Sequence, residues 1–269
     1  MYNINLIYTT IIKLCLTTFI MAVLSTIIQA QVIVIDPGHG YDANGVNRDQ
    51  RTDTEMQTAL ATGFKLRDLI NSNNCGWTVH MTRTTNANGG WVSVSQRSVM
   101  SNNWNATRFL SIHCNAGGGT GTETFYCNES SSNTAMDQNF SNTVQADMVT
   151  EGAWYNRRSV EDYSYLRNEY GNPYHLGVLK SNNAVACLSE IGFVDSSDAN
   201  KLLSDSWRDN FALAYYKSLQ DELGTCGNNC TDSKEPNNTV GQAYNLNAPV
   251  TSTSPNLCLA GNDYDYFKV

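Results

Sequence analysis

The chain has no basic run, no paired Cys-x-x-Cys and only four histidines in 269 residues. It also lacks an apolar stretch long enough to span a bilayer. The uncharged run from Leu14 to Ile28 is 15 residues, where a spanning helix needs roughly 20. Each absence narrows the reading. A formal net charge of −8 without clustered lysine or arginine argues against a nucleic-acid partner, whose phosphates demand a basic patch. Without Cys-x-x-Cys pairs the cysteines do not suggest a structural zinc knuckle. The short run after Lys13, followed by Gln29-Ala30, reads as an export signal cut after Ala30 rather than a membrane anchor.

Removing residues 1–30 leaves 239 of the 269, enough for one sizeable α/β domain and a small appendage. Lys13 is the one charged side chain removed, so the formal charge of −8 becomes −9. Of eight cysteines, loss of Cys15 leaves seven. An exported chain is expected to keep them as disulfides, with one unpaired or paired beyond the last residue.

What is present begins with Val32-Ile33-Val34-Ile35, an apolar run without helical period that predicts a strand buried on both faces. Asp36-Pro37 ends it, and Gly38 and Gly40 let the backbone turn on either side of His39. A polar loop, Tyr41 to Arg51, leads to Thr52 or Asp53. Either can cap a helix whose apolar residues Met56, Ala59, Leu60, Phe64, Leu66, Leu69 and Ile70 keep a 3.6-residue period. Glu55 lies in the first turn of that helix, where the dipole favours a carboxylate, so on these residues alone it reads as a stabilising surface charge.

Further strands are expected at Thr78–Thr82, Thr107–His113, Gly121–Cys127 and Ala184–Leu188. Helices are expected at Val94–Trp104, after a cap at Ser132 or Asn133, and over Trp207 to Leu219. The Gly152–Pro173 stretch, rich in tyrosine and carrying Arg157, Arg158 and Arg167, reads as an irregular loop. Loops of that length in compact domains are usually functional. Alternating strands and helices predict an α/β fold, an open, mostly parallel twisted sheet with helices on both faces. His39, His113 and Glu190 then share one rim.

Among the histidines, His80 sits in mid-strand and His175 in an aromatic loop with nothing to single it out. His39 and His113 each follow an apolar strand beside residues that give the backbone room. Two imidazoles and one carboxylate can hold a zinc ion with an open fourth position, the hydrolytic arrangement. The same set also serves non-haem iron enzymes, although the His-x-Asp/Glu pair usual there is missing.

These residues bear a resemblance. Asp36-Pro37-Gly38-His39-Gly40, Glu55, Thr82-Arg83, Ser111-Ile112-His113-Cys114-Asn115-Ala116 and Leu188-Ser189-Glu190-Ile191-Gly192-Phe193 resemble, in order and context, the motifs of zinc-dependent N-acetylmuramoyl-L-alanine amidases. The likeness covers about Val32 to Leu223. It implies Zn2+ held by His39, Glu55 and His113, and Glu190 as catalytic general base. The implied substrate is peptidoglycan, cut between N-acetylmuramic acid and the L-alanine of the stem peptide. Tyr41, Met56 and Cys114 depart from the family pattern without removing a reacting group. Cys114 should point away from His113, as a disulfide partner or core thiol. Asn115, Arg157, Arg158 and Arg167 are the expected substrate-binding residues, the arginines for stem carboxylates.

The expected organisation is a signal peptide over 1–30, a catalytic domain over 31–225, and a linker and accessory start over 226–269. That last stretch is a polar linker and an incomplete β-type tail resembling the opening of bacterial pre-peptidase C-terminal domains. The expected protein is a secreted or periplasmic monomer with no stable membrane span after signal removal. A non-catalytic wall-binding module of the same fold is the remaining alternative.

Overall fold

The computed structural model describes residues 31–130, 132–170, 174–224, 244–245 and 267–268, with backbone only at 167–170, 244–245 and 267–268. The expected export signal, Cys15 and most of the tail, including Cys226, Cys230 and Cys258, lie outside the described residues, as does the Arg167 side chain.

Six strands form the main sheet: β1 (Val32–Pro37), β2 (Thr78–Met81), β3 (Arg108–Asn115), β4 (Thr122–Tyr126), β5 (Asn156–Glu161) and β6 (Val185–Phe193). Their order is β2-β1-β3-β6-β4-β5. Every pairing is parallel except β4 with β6. The mostly parallel α/β sheet is therefore as expected, with one antiparallel seam. A second, two-stranded pairing joins β7 (Tyr244–Asn245) to β8 (Phe267–Lys268).

The helices are α1 (Asp53–Ser72), α2 (Val94–Asn103), α3 (Thr134–Glu151), α4 (Asp162–Tyr170), α5 (Gly177–Lys180), α6 (Ala199–Leu202) and α7 (Asp205–Leu223). Thr52 caps α1 by accepting the Glu55 N–H, Ser93 and Gln96 form a capping box on α2, and Asn133 caps α3. Strand alternation sends side chains to two cores. Ile33, Ile35, Leu110, Ile112, Cys114 and Cys187 meet α1, α3 and α7 on one face. Val34, Phe109, Phe125, Ala186 and Leu188 pack with Val178 and Leu179 of α5 on the other.

Three expectations need correction. The stretch read as an irregular loop holds β5 and α4. Its strand, Asn-Arg-Arg-Ser-Val-Glu, carries one aliphatic residue because it is an edge strand held by backbone pairing to β4. The Glu161 and Asp162 carboxylates accept the N–H groups of Tyr163 and Ser164 and start α4 in place of a conventional cap. Second, β3 and β6 run past the predicted ends, so His113 and Glu190 are late strand residues rather than terminal ones. Third, Cys114, Cys127 and Cys187 are buried free thiols, packed among the apolar side chains of the two cores.

Candidate active site and metal centre

The site lies where β1, β3 and β6 end beside the first turn of α1. Gly38 donates its N–H to Ile112 O at 2.9 Å, which draws the β1 turn over β3. His39 then adopts φ 62°, a left-handed conformation that costs a non-glycine residue on the order of 1 kcal/mol or more. Two buried arginines hold it there. Arg83 donates to Pro37 O at 2.8 Å and Gly38 O at 2.6 Å. Arg97 donates to Pro37 O at 2.7 Å and His39 O at 2.9 Å. Asp36, fully buried, anchors the clamp by accepting from Arg97 at 2.6 Å, Ser111 at 2.7 Å and Thr82. Burial alone would raise the Asp36 carboxyl, but Arg97 and the two hydroxyls outweigh it and hold it below the ordinary carboxylate range.

Three donor atoms converge in front of this turn. His39 Nε2 is 3.0 Å from His113 Nδ1 and 3.0 Å from Glu55 Oε1, and His113 Nδ1 is 3.3 Å from the same oxygen. The far nitrogen of His39 meets Asp49 Oδ2 at 2.9 Å, and Trp91 Nε1 donates to both Asp49 oxygens at 3.1 Å. Asp49 thereby fixes the tautomer that turns the Nε2 lone pair inward. Burial lowers the His113 pKa against the pull of Glu55, which favours the neutral, ligating imidazole. Burial would raise Glu55 too, yet its bonds to His113 and His39 bring it down to about 2.

Glu190 stands beside His113 in register on the next strand, so both side chains leave the same face of the sheet. Its Oε2 is buried and has no hydrogen-bond partner among the described residues. Burial first, then the nearby Glu55 and Glu123 carboxylates, push the Glu190 carboxyl well above its ordinary pKa.

These groups fit a small divalent cation. Ligands about 2.0–2.1 Å from a tetrahedral ion lie roughly 3.3 Å from one another, close to the 3.0–3.3 Å separations of the three donors. An acid kept unpaired at the rim matches a site meant to hold one more polar partner than the protein supplies.

The profile of the N-acetylmuramoyl-L-alanine amidase family matches residues 33–221. The chain belongs to this family. It is 32% identical over 191 residues to the sporulation-specific N-acetylmuramoyl-L-alanine amidase of Bacillus subtilis, and 34% over 193 residues to N-acetylmuramoyl-L-alanine amidase CwlM of Bacillus licheniformis. Each match covers 70% of this chain and 66% of the relative, so the chain spans slightly under two thirds of either. The crystal structure of an N-acetylmuramoyl-L-alanine amidase from Clostridium difficile superposes with TM-score 0.59 at 26% identity, covering 74% of this chain and 99% of that one. The catalytic domain of CwlV from Bacillus (Paenibacillus) polymyxa shares the fold, with TM-score 0.57 at 22% identity over 72% and 98% of the two chains.

The other predicted residues of this family member fall outside the metal centre. Asn115 donates to Glu123, a buried neighbour of Glu190 across the antiparallel seam. Arg157 and Arg158 lie 3.0 and 3.1 Å from the other Glu123 oxygen, with their guanidiniums over Phe193 and Tyr165. Their first partner is thus an internal acid. Of the aromatic residues in the Gly152–Pro173 stretch, Trp154 is buried against Phe211, while Tyr155 stays 72% exposed.

Sequence reasoning passed over Asp49 and Glu123, which sit in a polar loop and a Thr-rich strand without local signal. It also set aside His175, which is packed against Cys127 and Asp162. His80, in mid-strand on β2, is stacked on Trp104.

Proposed function

We propose that the chain hydrolyses the amide between N-acetylmuramic acid and the L-alanine of the peptidoglycan stem, with Zn2+ bound by His39, Glu55 and His113. The observation that carries this reading is the convergence of those three donors beside Glu190, a buried acid with a partnerless oxygen. Family membership supports the bond cleaved, and the donor set of two imidazole nitrogens and one carboxylate oxygen supports zinc.

A bound Zn2+ supplies Lewis acidity, polarising the carbonyl and lowering the pKa of a bound water from 15.7 to about 7. The protein does the rest. Glu190 takes the proton of the attacking water on Oε2 and returns it to the departing L-alanine nitrogen. Asp49, Arg83 and Arg97 keep His39 in place, so the carbonyl meets a rigid centre. Asn115 borders the cleft as a substrate contact. Arg157, Arg158 and Arg167 stand as contacts for stem carboxylates, the first two reaching substrate from their Glu123 pairing.

We assign residues 1–30 to an export signal, 31–225 to the catalytic domain and 226–269 to a linker with the start of an accessory β domain. The protein would act as a secreted or periplasmic monomer. No helix among the described residues is long and apolar enough to cross a membrane. A disulfide at Cys75 is in keeping with export.

The decisive experiment is a peptidoglycan digest with mass analysis of products, run on zinc-loaded, chelator-treated and Glu190→Gln protein. Free stem peptides beginning at L-alanine are expected from the first alone. Glu190→Gln should keep its zinc and lose at least about a hundredfold in rate. Near-normal turnover by that variant would remove Glu190 from the mechanism. Inert zinc-loaded wild type that still binds peptidoglycan would favour the wall-binding module.

A further inference from the structure

His175 lies outside the centre just described, with a side chain 5% exposed. Its Nδ1 is 2.8 Å from Asp162 Oδ1 and 3.3 Å from Cys127 Sγ. Cys127 and Asp162 are 1% and 0% exposed, and Cys127 is a free thiol. The three donor atoms lie within 4.8 Å of one another. We propose that Cys127, Asp162 and His175 form a second metal site, for a zinc-class divalent cation, which fastens the end of β4 to the start of α4 and the segment entering α5.

The direction of approach separates this reading from a catalytic thiol. In a nucleophilic relay the thiol and the carboxylate occupy opposite nitrogens of the imidazole, so that a proton can pass between them. Here both converge on Nδ1, which suits a cation shared by three donors and serves no relay. The far nitrogen, Nε2, is 3.5 Å from Glu129 Oε2, and Lys180 Nζ holds that carboxylate at 2.9 Å. A proton kept on Nε2 leaves the Nδ1 lone pair facing inward. Asp49 does the same for His39, and outer carboxylates of this kind are a recurring feature of histidine-metal sites.

Charge supports the assignment. Glu161 Oε1 is 3.8 Å from His175 Nδ1, so two neighbouring acids and a thiol face one imidazole inside the protein. Lys180 balances Glu129, and among the described residues His175 is the one basic partner of Glu161 and Asp162. Buried acids of this kind are costly unless compensated. A divalent ion would displace the thiol proton to solvent and offset both acids. Backbone N–H groups of Tyr163 and Leu176, each 2.7 Å away, already aim the Asp162 carboxylate.

Three protein donors would hold the ion in a buried position, with Glu161 beside them 3.8 Å from His175 Nδ1. The site is also distant from the reaction. Cys127 lies four residues along the strand from Glu123, the neighbour of Glu190. At about 3.3 Å per residue that is roughly 13 Å.

Total metal analysis of the zinc-loaded full chain tests the proposal. Two equivalents are expected in the wild type, one in Cys127→Ser with hydrolysis retained, and one in His113→Ala with hydrolysis lost. Reconstituted with cobalt(II), His113→Ala should show the thiolate-to-cobalt charge-transfer absorption, and Cys127→Ser should not. Equal metal content and equal cobalt spectra in wild type and Cys127→Ser would overturn the site, as would His113→Ala protein that takes up no zinc. Should Cys127→Ser fail to fold, the cobalt spectrum and metal count of His113→Ala decide alone.

Discussion

Gly38 packs directly against the His113 ring: a Cβ on residue 38 would sit 2.4 Å from the imidazole Cε1 and 2.6 Å from both nitrogens. The turn that presents one imidazole therefore reserves the space of the other. Gly38→Ala should displace His113 from Glu55 and His39 and lower metal content well below that of wild type. Isothermal titration with zinc checks this, and unchanged affinity would show that the ring relaxes without leaving the centre.

The Asp49 carboxylate touches His39 but none of the other converging donors. Asp49→Asn should keep the fold while weakening zinc affinity by about 10- to 100-fold, the usual effect of losing an outer carboxylate. Competition with a chromophoric chelator would measure it, and circular dichroism would confirm that the fold is intact.

Asp36 and Arg97 form a buried ion pair, with side chains 0% and 4% exposed. Removing one partner strands the other, so Arg97→Met should cost about 3–5 kcal/mol. Asp36→Asn in the same chain should restore part of that loss. Urea unfolding of the two singles and the double completes the cycle.

The same pair governs acid stability. The folded Asp36 pKa is depressed, so its contribution is full above the unfolded value of about 3.9 and fades as pH falls through the lower folded value. Wild type should lose stability below about pH 4 more steeply than Asp36→Asn. Parallel pH profiles would show that another acid dominates.

Arg157 and Arg158 both lean on Glu123, which is 1% exposed. Truncating both to alanine should destabilise the β4–β5 edge, and Glu123→Gln should recover part of the loss. If instead stability is unchanged and the Michaelis constant for stem-bearing fragments rises, their main role is with substrate.

How far sequence reasoning reached depended on whether a signal was local. Strands β1, β3 and β6 announced themselves because a strand covered on both faces is apolar at successive positions, as Val32 to Ile35 and Phe109 to Ile112 are. The caps at Thr52 and Asn133 were equally legible, since a cap is chemistry within three residues. Edge strand β5 was not, because Arg157 and Ser159 satisfy backbone pairing without a hydrophobic pattern.

By itself the sequence determined the α/β class and the two imidazoles set in glycine-rich or strand-end contexts, and its motif order placed Glu55 and Glu190 with them. Only tertiary structure decided which carboxylates serve which histidines. Asp49 reaches His39 across a loop, Glu123 reaches Glu190 across an antiparallel seam, and Asp162 and Cys127 enclose His175 from two separate elements. Residues far apart in the chain carry no shared period or spacing, so their meeting depends on strand register and helix placement, which the whole core fixes together.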